Sequence, residues 1–269
     1  MAAPENENIL ACVNTINSKF PETFILVGGA SMVKRHSDRT TNDVDVLVPP
    51  LTNMNQLRQQ LIDTTWFFSD GGVLFVKPSS SMDNPLLRPV KVDILTDIVQ
   101  GKGFNDLIHH TTSVSGNLML TLSMSLGVKL KCWYLRAEDE NGMIKKGTDM
   151  ADILFLATLI RNHGIQVDSS AAAEMKICHY NLLLVRLELA DHEVELLRTV
   201  GCSKFLRKYE DNTPDQRDLY EAMGAKADTD PLVVELEYDE DEGEVEEYEK
   251  SGDIAFCVYP QGCKSINLT

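Results

Sequence analysis

Two aspartates one residue apart, Asp43 and Asp45, sit in the run DVDVLV, where carboxylates alternate with valines. Side chains on a strand alternate faces, so both acids point to one side while Val44 and Val46 point into a core. Carboxylates held this close repel, and each is driven toward protonation unless a cation lies between them. A divalent ion resolves that conflict. Mg²⁺, or Mn²⁺ in its place, takes one or two protein carboxylates and completes its shell with water and phosphate oxygens. Just upstream, Gly28-Gly29-Ala30-Ser31 offers unhindered backbone N–H groups and a hydroxyl at the start of a short helix, where anions are favoured. Metal-assisted phosphate chemistry uses both features.

The elements that must hold these residues are readable from apolar spacing. Residues 24–48 read as a buried strand, the Gly-Gly turn, a short helix, a polar loop and a second strand. Before them, Ile9, Val13, Ile16 and Phe20 form a helical stripe that Pro21 ends. After them, 54–62 spaces Met54, Leu57 and Leu61 as a short helix, and 66–76 reads as a hairpin around Asp70-Gly71-Gly72. The Ser- and Pro-rich stretch 77–89 reads as a mobile loop, and 90–95 (VKVDIL) as a strand with Lys91, Asp93 and Leu95 on one face. Further on the spacing predicts a short helix or loop over 104–110, a strand over 118–122, a helix over 123–136 with Leu126, Leu130 and Trp133 inward, a polar loop over 137–147, and an apolar helix over 148–161. A long helical pattern over 169–200 breaks near Ala190-Asp191.

Composition narrows the class. At 269 residues the chain can bury a sizeable core, and no run of about eighteen apolar residues suggests a membrane span. The polar, acidic N-terminus has no signal core, so a cytoplasmic protein is expected. Six cysteines are scattered without C-x-x-C pairs or metal-ligand rhythm with the histidines, which fits reduced, mostly buried thiols. Residues 235–249 carry ten acidic groups and no basic one, leaving only −6 of the −16 net charge for the rest of the chain. That run reads as a solvated tail, with 256–259 (FCVY) a short patch that docks back. Around the D-x-D the balance reverses, with Lys34, Arg35, Arg39, Arg88, Lys91 and Lys129 nearby in sequence or pattern. A basic pocket in an acidic chain suits a nucleoside triphosphate better than a broad nucleic-acid footprint.

A strand ending in Gly28-Gly29, followed about a dozen residues later by Asp43-Val44-Asp45 on the next strand, resembles the nucleotidyltransferase superfamily with its DNA polymerase β-like fold. Lys129, then Arg136, then Asp149 and Asp152 three residues apart resemble its AbiEii-type branch, which includes toxins of bacterial toxin–antitoxin pairs. Thr148 stands where that branch usually has arginine, and the segment between the two helices is longer. The resemblance covers about residues 8–165. It implies an α/β (α+β) fold: a mixed β-sheet with flanking helices, followed by a helical C-terminal half. The expected organisation is a catalytic core at 1–120, a helical region completing the cleft at 121–232, and an acidic tail at 233–269.

The resemblance also implies roles. Asp93 joins Asp43 and Asp45 as metal ligand and accepts the proton of the attacking hydroxyl. Lys129 contacts the triphosphate and counts with the three acids as catalytic. The expected nucleotide contacts are Gly28, Gly29, Ser31, Arg39, Lys129 and Asp149, with Asp149 orienting Lys129 or meeting the base or acceptor. The implied reaction transfers a nucleoside monophosphate from an NTP to a hydroxyl on an RNA 3′ end such as that of tRNA, a protein side chain or a small molecule. A fold alone does not fix function. The alternative is a non-catalytic binding or regulatory protein that acts through its helical half and acidic tail. Lys131, Lys145 and Lys146 read as surface lysines, and the histidines as surface or packed residues.

Overall fold

The first helix, α1 (Pro4–Lys19), places Ile9, Cys12, Val13 and Ile16 on one buried face, and Pro4 in its first turn is compatible with the missing N–H there. The computed structural model describes residues 4–202 apart from 22, 51, 79–87 and 178. The chain continues through β1 (Ile25–Val27), α2 (Gly28–Lys34), β2 (Asp43–Leu47) and α3 (Met54–Ile62), then the hairpin β3 (Phe67–Asp70) and β4 (Val73–Val76), and β5 (Val90–Leu95). Asn53 caps α3 by accepting from the Gln56 N–H at 3.1 Å. Gly71 and Gly72 both take positive φ, as a two-residue hairpin turn of the favoured hand requires. A short helix α4 (Phe104–Leu107) leads to a second hairpin, β6 (Thr111–Val114) and β7 (Asn117–Leu120). Helices α5 (Leu122–Leu135), α6 (Glu140–Asn162), α7 (Ser169–Glu174), α8 (His179–Leu187) and α9 (Asp191–Thr199) complete the described chain.

Seven strands form one mixed sheet in the order β3-β4-β5-β2-β1-β7-β6. β2 lies at its centre, parallel to β5 and antiparallel to β1. The sheet separates two apolar cores. Val44, Val46 and Val48 pack with α1, α3 and the buried side of the β3–β4 hairpin, including Leu57, Leu61, Phe67 and Leu74. On the other side Ile25, Val27 and Leu47 pack with α5 and α6 through Leu126, Leu130, Trp133, Ile153 and Leu156. Alternation along β2 therefore turns Asp43 and Asp45 toward the face that α5 and α6 cover in part.

Most expected elements are present, and the mixed α/β class with it. Four differ. Helix α6 starts at Glu140, inside the expected polar loop, because Asp139 caps it by accepting from the Gly142 N–H at 2.7 Å. Strand β6 was not expected: its sequence, TTSV, lacks apolar alternation because it lies at the sheet edge. The next strand is Asn117–Leu120, shorter than expected, since Thr121 turns out of it to cap α5. The 169–200 pattern divides into three helices, with a break after α7 where Lys176 takes φ of 49°. Among the described residues no helix is long and apolar enough to cross a membrane. Cys12 and Cys202 are buried free thiols and Cys132 is a half-buried one. The acidic run 235–249, the patch 256–259, most of the 77–89 loop, and Cys178, Cys257 and Cys263 lie outside the described residues.

Leu130 is almost fully buried where α5 meets α6 and the sheet. Leu130→Ala is expected to lower unfolding free energy by about 2–5 kcal/mol, read as a lower urea midpoint with an unchanged slope.

Candidate active site

The parallel register of β2 and β5 sets Asp45 beside Asp93 and Asp43 beside Lys91. Strand alternation and this pairing bring Asp43, Asp45 and Asp93 together, with one carboxylate oxygen from each inside a 4.8 Å group. Each acid is half-buried. Asp43 accepts from the Thr41 hydroxyl at 2.9 Å, and Asp93 accepts from Lys91 Nζ at 2.6 Å. Among the described residues Asp45 has no such hydrogen bond or ion pair. Burial first, then the charges of Asp43 and Asp93, push its carboxyl up to about 6, although Lys91 and Lys129 pull the other way. Three oxygen donors in one cluster, one of them under strain from its neighbours, are the donor set a hard divalent cation fits.

Gly28 is required by close approach. Its φ is 61°, and a Cβ placed there would lie 1.9 Å from Asp45 Oδ2. At Gly29 a Cβ would press on Thr41 and on the Arg39 guanidinium. The Gly-Gly pair thus lets β1 and α2 lie directly against the acidic cluster. Ser31 is buried and donates its hydroxyl to the Gly28 carbonyl at 2.8 Å, closing the first turn of α2.

A second ionic group joins α5 to α6. Lys129 Nζ lies 2.9 Å from Asp149 Oδ1 and 2.7 Å from Asp152 Oδ2, and Arg136 Nε donates to Asp149 Oδ2 at 2.8 Å. Both aspartates, on one face of α6, are essentially inaccessible. Burial alone would lower the Lys129 pKa, but the two carboxylates more than offset it and hold the ammonium charged. Arg39 connects the groups: its guanidinium passes over Gly29 and pairs with Asp152. Its Nε is buried and has no hydrogen-bond acceptor among the described residues.

The structure therefore brings Gly28, Gly29, Arg39, Asp43, Asp45, Asp93, Lys129 and Asp149 into one neighbourhood, with Ser31 in the turn of α2. Other basic residues go elsewhere. Lys34 donates to Asn14 at 2.9 Å, while Arg35 is buried and donates to Leu120 and Ser125, tying α2 to α5. Lys131 reaches the Lys176 carbonyl, and Lys146 pairs with Glu138 beside Trp133. One residue of the site was missed: Thr41, which could have been found two positions before Asp43, in step with the D-x-D. Asp152, read from the sequence with Asp149 as the second aspartate of that pair, meets both Lys129 and Arg39. The Arg39 to Asp152 bridge left no local signal, being 113 residues apart.

The sequence matches the family model described as nucleotidyl transferase AbiEii toxin, type IV toxin–antitoxin system, over residues 9–229. The chain belongs to the AbiEii nucleotidyl transferase toxin family. The match runs well past residue 165, where the motif resemblance stopped. The AbiEii chain is also similar in structure to an antigenic nucleotidyltransferase-like protein from Paracoccidioides brasiliensis, at 16% identity and a TM-score of 0.48, covering 73% of this chain and 94% of that one. A search of curated protein sequences finds no match. In this AbiEii member Thr148 is half-buried and donates to the Ile144 carbonyl at 3.2 Å, and the arginine that meets Asp149 is Arg136, just after α5.

The raised Asp45 carboxyl has a consequence for stability. Between pH 4 and about 6 the native state keeps a proton that the unfolded chain has released, so stability falls as pH rises through that window. With a chelator present at pH 7, Asp45→Asn is expected to be more stable than the parent by roughly 1–3 kcal/mol. The gap should close at pH 4, as read by urea unfolding across the range.

Proposed function

We propose that this protein transfers a nucleoside monophosphate from an NTP to a hydroxyl acceptor, with Asp43, Asp45 and Asp93 holding Mg²⁺ or Mn²⁺. The observation that carries this reading is the three-carboxylate cluster with Asp45 pushed to about 6 beside a glycine turn that approaches it closely. Family membership supports the class, and residues 1–120 and 121–232 contribute the acids and the lysine respectively. When bound, the divalent ion supplies positive charge to the phosphate oxygens and orients them.

The chain's own residues do the rest. Lys129, kept charged by Asp149 and Asp152, donates toward the β- or γ-phosphate. Arg39 faces the same turn, and its Nε–H, which has no acceptor among the described residues, is a donor suited to a phosphate oxygen. Gly28 and Gly29 let the turn approach Asp45, Thr41 and Arg39 closely, with Ser31 bracing the turn. The acceptor oxygen attacks the α-phosphorus, its proton passes to Asp93, and the bond to the pyrophosphate breaks. Lys91, paired with Asp93, keeps that carboxylate oriented.

The test is incubation of the full chain with each α-labelled NTP, Mg²⁺ or Mn²⁺, and RNA, protein or small hydroxyl acceptors. Label is expected on one acceptor class. Asp43→Ala with Asp45→Ala should abolish it, and Lys129→Met should lower the turnover rate by about a hundredfold or more. Labelling unchanged in the double variant would overturn the reading.

A further inference from the structure

The sheet face that carries the acids continues beyond them. Phe68 on β3 pairs with Phe75 on β4, Phe75 pairs with Lys91 on β5, and Lys91 pairs with Asp43 on β2. Directly opposed residues share a face, so these four side chains form one row across four strands, reaching about 10–15 Å from the acids. The opposite face of the same hairpin is core, with Phe67, Leu74 and Val76 buried.

Phe68 and Phe75 belong to neither core. Both are half-buried, and their rings stack with centroids 5.3 Å apart and planes 16° from parallel. Stacking uses one face of each ring. Of the two residues, Phe75 stands on the strand next to β5, opposite Lys91 and closer to the acidic cluster. Two cations flank the row: Lys77, whose Nζ is 5.1 Å from the Phe68 centroid, and Lys91, with 43% of its side chain accessible. The exposed carboxylate of Asp70 lies at the turn end of the hairpin, with Val73 opposite it. A cross-strand aromatic pair contributes modestly to hairpin stability wherever it occurs. Here it stands in line with the acids and beside unburied cations, the combination that takes an unpaired base and its phosphates.

We propose that the row from Phe68 to Asp43 is an acceptor track: an unpaired nucleobase stacks on the Phe68–Phe75 platform while Lys77 and Lys91 meet the strand's phosphates. The acceptor is then the free end of a single-stranded nucleic acid. This rests on the transferase reading for its function, but binding can be measured apart from transfer.

The experiment uses a fluorescein-labelled unstructured RNA hexamer and its DNA counterpart, titrated by anisotropy into the full-length Asp43→Asn/Asp45→Asn chain without nucleotide. Adding Phe68→Leu with Phe75→Leu should weaken binding by roughly five- to a hundredfold, while Tyr at both positions should keep it within about twofold. If the leucine pair unfolds, 4-thiouridine cross-linking of the parent should map to the tryptic peptide that carries Phe68 and Phe75. Equal affinity in the leucine variant, cross-links only elsewhere, or no hexamer binding at all would overturn the track. So would a loss confined to NTP-induced thermal shift, which would assign the rings to the incoming nucleotide, and so would labelling of protein acceptors alone. In those last two cases the transferase reading survives. Hexamer binding on the rings with no transfer from any NTP would leave the track and remove the transferase reading.

Discussion

Mutual repulsion among Asp43, Asp45 and Asp93 is the constraint around which this structure is arranged. Two parallel neighbouring strands place the acids side by side, and strand alternation leaves them no other face. Thr41 and Lys91 each relieve one member, and Asp45 is left to hold its proton up to about pH 6. A folded chain gains nothing in stability from such a cluster. It is the kind of local cost that persists where function needs charge placed in advance. Gly28 belongs to the same arrangement, since any side chain there would strike Asp45.

The second ionic group answers the first. Asp149 and Asp152 are buried between three cations, Lys129, Arg136 and Arg39. Buried ion pairs are weak sources of stability, because desolvation offsets most of the Coulomb attraction, whereas losing one partner strands a charge at a cost of several kcal/mol. Their effect here is positional. They hold a charged lysine near three acids, and through Arg39 they fasten the loop before β2 to α6. The acid-bearing strands and the helical half are thereby joined by charge as well as by the core under α5.

The sequence revealed this arrangement unevenly. Period-two alternation in DVDVL and VKVDIL was enough for both acidic strands and for the face each acid takes, because a buried strand leaves a clear pattern. The stripe 54–62 and the Gly-Gly hairpin were equally legible. The edge strand β6 was not, since an edge with polar residues on both faces has no alternation to read. The start of α6 was hidden because Glu140, Asn141, Gly142 and the lysines after Met143-Ile144 look like a loop until the Asp139 cap is seen. Long-range bonds such as Arg39 to Asp152, or the register that lines Phe75 up with Lys91, depend on tertiary pairing that no local window contains.

The most direct measurement of the central claim is isothermal titration of Mg²⁺ or Mn²⁺ into the metal-free protein in two buffers of different ionisation enthalpy, at pH 5, 6 and 7. If the acidic cluster is relieved by a divalent ion, binding should release close to one proton at pH 5, about half at pH 6 and almost none at pH 7, as the Asp45 carboxyl near 6 requires. Asp45→Asn should remove that proton release. Absence of binding heat, or binding whose proton release is the same at all three pH values, would contradict the account.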